Sequence, residues 1–148
     1  MKTFQRILFP TDFSPIANHA FGYALGVARE FGARLFILHV INEQADLRGF
    51  YLPHLEYEEV EADIAASAQR MMDEFRAGIE GYDNHEGRVI SGVPYAEILK
   101  AAEEHDADMI VMGTHGHTGV EHLLFGSTAE RVLRHAKCPV MTIRPETE

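Results

Sequence analysis

Five short apolar runs, alternating with segments of helical periodicity, constrain the fold of this chain more than any other feature. Residues 6–9 form the first run, stopped by Pro10, which cannot continue a hydrogen-bonded ladder. Ser14-Pro15 then has the chemistry of a helix start, an N-cap followed by a first-turn proline. Ala20, Phe21, Ala24, Leu25, Ala28 and Phe31 recur at helical spacing up to Gly32, the expected C-terminal stop. Residues 34–41 repeat the buried-strand pattern, and residues 56–75 read as an acidic, alanine-rich helix ending near Gly78 or Gly81. A short strand is expected over 88–90, and a third helix carries Ala96, Ile98, Leu99 and Ala102 on its apolar face. Residues 108–112 make a fourth strand, 127–135 a fourth helix and 140–143 a fifth strand after Pro139. Such alternation with short connections predicts one α/β domain over residues 1–148, an open, doubly wound parallel sheet of five strands. Ligands of such sheets sit beyond the carboxyl ends of the strands, so the loops after the first and fourth strands are the places to search.

Charge narrows the partners. With 13 basic and 23 acidic side chains the formal net charge is −10, which repels polyanions and argues against nucleic-acid binding through a basic patch. No apolar run is long enough to span a bilayer, and the N-terminal apolar stretch is too short for a signal peptide. The single cysteine, Cys138, cannot form an internal disulfide, in keeping with a reducing, cytoplasmic location; its default role is a packed, inert thiol. Any phosphate must therefore be held locally, by backbone N–H groups and helix dipoles.

The loop after the fourth strand suits that task. It reads Gly113-Thr114-His115-Gly116-His117-Thr118-Gly119 and continues to Gly126-Ser127-Thr128 at the start of the fourth helix. Glycines 113 and 116 permit backbone conformations and close approach that side chains would block. Ser127 and Glu130 have capping-box spacing, and the free amides of that helix start make a phosphate site that needs no lysine. The plainer alternative is a turn closed by glycines and a helix capped by Ser127. No Gly-Lys-Ser/Thr motif occurs, and the Gly-x-Gly-x-x-Gly dinucleotide pattern is not met. His115, His117 and His122 cluster here, but without cysteines or fixed facing they make a poor zinc set; no metal site is assigned to the protein, and His115 and His117 are better placed as donors near phosphate.

Gly113-x2-Gly116-x9-Gly126-Ser127, taken with Asp12, Gly92-Val93-Pro94 and the closing Cys138-Pro139-Val140-Met141-Thr142-Ile143, resembles the universal stress protein family in its nucleotide-binding subgroup. The likeness extends over essentially the whole chain. It implies the strand order 3-2-1-4-5 of adenine nucleotide α-hydrolase-like folds. It also implies that Gly113, Gly116, Gly126 and Ser127, joined by Thr128, hold ribose and phosphates. Asp12 would accept from the adenine edge, and Val40 would meet adenine through its backbone. The residue-level alternatives are an Asx-turn for Asp12 and ordinary core packing for Val40. Members of that family commonly dimerise by pairing the last strand, here Val140–Ile143, across a two-fold axis.

The resemblance implies ATP, or AMP or ADP, as ligand, with Mg²⁺ bridging phosphate oxygens, in a nucleotide-dependent regulatory module of the stress response with at most slow hydrolysis. No catalytic residue is singled out. Two other readings compete. A nucleotide-free interaction scaffold would leave the glycine loop structural. An ATP-dependent enzyme of the α-hydrolase type usually carries a glycine-rich loop after the first strand, where this chain has Pro10-Thr11-Asp12-Phe13-Ser14. Residues 42–53 are expected to form a loop over the adenine pocket.

Overall fold

A computed structural model describes residues 3–42, 57–115 and 125–146. The elements are β1 (Arg6–Pro10), α1 (Pro15–Phe31), β2 (Arg34–Ile41), α2 (Tyr57–Ala77), β3 (His85–Ser91), α3 (Pro94–Glu104), β4 (Met109–Gly113), α4 (Ser127–His135) and β5 (Val140–Ile143). All strand pairs are parallel, in the order β3-β2-β1-β4-β5, as the resemblance implies.

Strand residues alternate between two buried faces, which is why the strands read as continuous apolar runs. Ile7, Phe9, Leu35, Ile37 and Val111 pack against the Ala20-Ala24-Ala28 stripe of α1 and against Met72 of α2. Leu8, Phe36, Leu38, Ile110 and Met112 face the other way, onto Ile98 and Ala101 of α3 and Ala129 and Val132 of α4. The alanines let α1 lie close to the sheet.

The start and stop of α1 are as expected. The Ser14 hydroxyl accepts the Ala17 amide at 3.1 Å, and Gly32 closes the helix at φ +64°. Some boundaries differ. β1 takes in Pro10, which pairs with Leu38; proline lacks only the donor, and the Thr11 amide carries the ladder on to the Leu38 carbonyl at 2.8 Å. β3 is seven residues long rather than three, because its polar start, His85-Glu86-Gly87, pairs with Leu35, Phe36 and Ile37. β4 begins at Met109; Asp108 turns its carboxylate back to accept the Gln5 and Arg6 amides at 2.7 and 2.8 Å. Helix α2 ends at Ala77, directly before Gly78, as expected, and its expected start at Glu56 lies outside the described residues.

Candidate cleft at the switch point

Strand order reverses at β1, which has β2 on one side and β4 on the other. Both crossovers lead away from this line, so a crevice opens beyond the strand ends. It has a volume of about 440 Å³. Asp12, Val40, Gly113, His115, Gly126, Ser127 and Thr128 all line it. Gly116 and His117, also expected there, lie outside the described residues; of the expected cover over 42–53, Asn42 lines the cleft and the rest lies outside the described residues.

One wall is the turn after β1. The Asp12 Oδ1 atom accepts the Ser14 amide at 3.0 Å, so the Asx-turn exists, whatever else the carboxylate does. The Thr11 hydroxyl accepts the Phe13 amide at 3.0 Å. Between these bonds Phe13 sits at φ +61°, a left-handed conformation costly for an aromatic residue and held by its surroundings. Its ring packs on His39 and Phe75, with centroids 4.8 and 5.9 Å away. The floor comes from β2, where Leu38, His39 and Val40 border the cleft and the His39 Nδ1–H donates to the Thr11 carbonyl at 2.7 Å.

The opposite wall is built from the end of β4 and the start of α4. Gly113 is needed for close approach rather than for a positive φ: a Cβ there would lie 3.3 Å from both the Ile16 side chain and the His115 carbonyl. Thr114, almost fully buried, shares a 3.0 Å hydrogen bond between its hydroxyl and His115 Nδ1. Its carbonyl accepts the Gly126 amide at 2.6 Å, which ties the end of β4 to the start of α4.

The expected capping box is not formed. The N-cap of α4 is Gly126, no side chain caps the helix, and Glu130 pairs instead with Arg134 at 2.7 Å. The register explains this: Ser127 already occupies the first helical position, one residue too late to cap. Consequently the first-turn amides of α4 point past a residue with no side chain, and their positive dipole end faces the cleft.

Among the described residues lining the cleft, Asp12 is the only carboxylate, and no lysine or arginine is present. The described residues contain no group of three His, Cys, Asp or Glu able to hold a metal; His117 and His122 lie outside them. Cys138 stands elsewhere, beside a smaller cavity of about 190 Å³ near the ends of α3 and α4. Burial pushes its thiol up, in keeping with an inert role. None of the described helices is long and apolar enough to cross a membrane.

Sequence reasoning missed His39, Phe13, Thr114 and Met71 as cleft residues. A signal existed only for His39, a polar residue in an otherwise apolar strand next to Val40. No residue type announces the left-handed Phe13.

Comparison with known proteins gives a consistent answer. Residues 3–144 match the model of the universal stress protein family. Universal stress protein MJ0531 of Methanocaldococcus jannaschii is 34% identical over 147 residues, covering 95% of this chain and 82% of the relative. The solved structure of protein MJ0577 from the same organism superposes with a TM-score of 0.85 at 27% identity, covering 99% of this chain and 100% of that one. A universal stress protein solved in complex with cAMP, at 24% identity and a TM-score of 0.67, shares the fold over 97% of this chain and 98% of its own.

Proposed function

The chain belongs to the universal stress protein family, and we propose that it binds an adenine nucleotide, ATP foremost, as a regulatory module of the stress response. One observation carries the reading. A single cleft has the uncapped first turn of α4 at one wall and the Asp12 turn with the Val40 backbone at the other. Phosphate suits the first, because amide donors and a helix dipole favour an anion where the described lining supplies no lysine or arginine. A flat base with both donors and acceptors on its edge suits the second. The volume lies within the range of small-molecule sites. At the level of fold alone, the cAMP complex of another family member is a precedent for an adenine nucleotide on this architecture.

The roles follow from position. Gly113 and Gly126 let phosphates approach the backbone; Ser127 and Thr128 add hydroxyls, and His115 adds an imidazole donor to the same wall. Gly116 and His117 belong to the loop that would complete the phosphate site. When bound, Mg²⁺ would neutralise charge on the phosphates that Gly113, Gly126, Ser127 and Thr128 hold. Fast phosphoryl transfer needs a cation clamp and a positioned base. Asp12, at the base end of the cleft, is badly placed for that work, which supports a reading of slow hydrolysis at most. The chain acts as one domain over residues 1–148, in the cytoplasm, and pairs with a second copy through Val140–Ile143.

The test is chemical analysis of nucleotide released from the purified protein, followed by calorimetric titration of ATP with Mg²⁺ into the stripped form. Adenine nucleotide in the extract, or micromolar binding, is the expected result. No nucleotide and no heat, repeated in a second binding assay, would overturn the reading and leave an interaction scaffold.

A further inference from the structure

Beyond the Thr11 amide, no backbone bond among the described residues joins the end of β2 to the turn after β1. In a parallel ladder, alternate residues of a strand direct both N–H and C=O toward the same neighbour. Leu38 faces β1, since its carbonyl accepts the Thr11 amide at 2.8 Å. Ile41 faces β3, since its carbonyl accepts the Gly92 amide at 3.0 Å. Val40, two residues beyond Leu38, therefore aims its amide at β1, where the regular partner would be the Thr11 carbonyl. That carbonyl receives the His39 imidazole at 2.7 Å instead. A carbonyl oxygen only accepts, so Nδ1 carries a proton whatever the charge of the ring. The Phe13 ring lies against the imidazole, and the two hydrogen bonds of the turn carry the chain away from β2 directly after Thr11.

We infer that His39 is a positioning residue for base recognition. By engaging the Thr11 carbonyl it keeps the final rung open and leaves the Val40 amide facing the cleft as a donor. A fixed N–H at that place selects a purine whose facing ring nitrogen is unprotonated, as N1 of adenine is, over hypoxanthine or guanine, whose N1 bears a hydrogen. The inference rests on the adenine-nucleotide reading above and explains how that reading obtains its base preference.

Three proteins test it: the native chain, His39→Leu and His39→Asn. Asparagine places an N–H near the position of Nδ1 and retains the donor; leucine does not. The readouts are hydrogen exchange of the Val40 amide in nucleotide-free protein and the ratio of affinities for ATP and inosine triphosphate. In the native protein the Val40 amide should exchange as an open strand-end group, and ATP should be preferred by about tenfold, the scale of one hydrogen bond. In His39→Leu the rung should close, protecting the Val40 amide and reducing the preference to about twofold or less. His39→Asn should keep both native properties, which a merely structural histidine does not require. A Val40 amide already protected in the native protein, or an unchanged affinity ratio in His39→Leu, would overturn the inference. If His39→Leu fails to fold, native Val40 exchange and the asparagine variant decide it. Failure of the native protein to bind either nucleotide would fall on the proposed function, while the exchange comparison would still decide the role of His39.

Discussion

Gly126 has φ −71°, which any residue adopts, and a Cβ built on it would meet the Thr114 carbonyl at 3.4 Å, an ordinary contact. Its backbone and packing both admit a side chain, so the effect of one on the cleft can be separated from its effect on the fold. Gly126→Val should cost about 1 kcal/mol through the poorer N-cap, measured by urea denaturation. Its methyl groups should nevertheless abolish ATP binding by calorimetry; unchanged affinity would sink the phosphate assignment. Asp12 is the reverse case, a residue with a visible structural task. Asp12→Asn keeps an oxygen for the Ser14 amide but exchanges an acceptor-only group for an amide, so it should spare stability and shift base preference. Asp12→Ala should lose about 1–3 kcal/mol of adenine affinity, the range for a hydrogen bond to a charged group. Equal binding of ATP and GTP by the native protein would remove Asp12 from base recognition. Gly113, Gly126 and Ser127 were legible as residues of the cleft wall because glycines beside a helix start leave backbone amides open. Phe13 and His39 were not, because their roles depend on a turn and a tautomer that no local spacing encodes.

At the scale of elements, α2 and β3 meet at the least legible seam. The polar His85-Glu86-Gly87 hides a strand start because Gly87 is chosen for what lies above it: a Cβ there would sit 2.6 Å from Arg76 Cδ and 2.7 Å from Met72 Sδ. Met72 is fully buried and cannot swing away. Gly87→Ala should therefore overpack the seam and cost about 1–3 kcal/mol, read as a lower urea midpoint at unchanged slope. His85 titrates at the same place. Burial first, and then the Arg76 guanidinium, hold its imidazole below the ordinary value of 6.5, and Arg76 Nε–H donates to Nδ1 at 3.1 Å, a bond only the unprotonated nitrogen can accept. Below 6.5 the unfolded chain binds this proton more readily than the folded one. The stability contributed by the neutral imidazole is therefore complete above that value and declines as pH falls through it. Between about pH 7.5 and pH 5.5 the native protein should lose more stability than His85→Gln in paired denaturation curves. Equal losses would exclude His85 as the source. The other elements were readable because both faces of the sheet are buried and the helices keep a strict apolar stripe. The misread cap of α4 shows the limit: Ser-x-x-Glu spacing cannot say which residue begins the helix.

For the molecule as a whole, alternation of strands and helices dictated a parallel sheet but not its order, which depends on contacts far apart in sequence and entered with the family resemblance. That order places the cleft at β1 and makes β5 an edge. An edge of half-buried Val140, Met141, Thr142 and Ile143 invites pairing with another chain. The carbonyls of Pro139 and Ile143 accept the Ile110 and Thr114 amides, both at 3.0 Å, so alternate residues of β5 face β4. Val140 and Thr142 therefore direct their amides outward, away from the sheet. Two copies pairing here would bring together chains of net charge −10 each, so the contact must be carried by ladder bonds and apolar area rather than by charge attraction. Thr142→Pro removes one outward amide and touches no bond to β4, and the preceding extended residue suits proline. It should convert a native dimer to monomer in sedimentation or light scattering, while ATP binding persists, because Thr142 pairs with Met112 of the cleft wall but does not itself line the cleft. A dimer that survives Thr142→Pro with an intact fold would mean that the copies meet through another surface, and that β5 is an edge guarded by its short length alone.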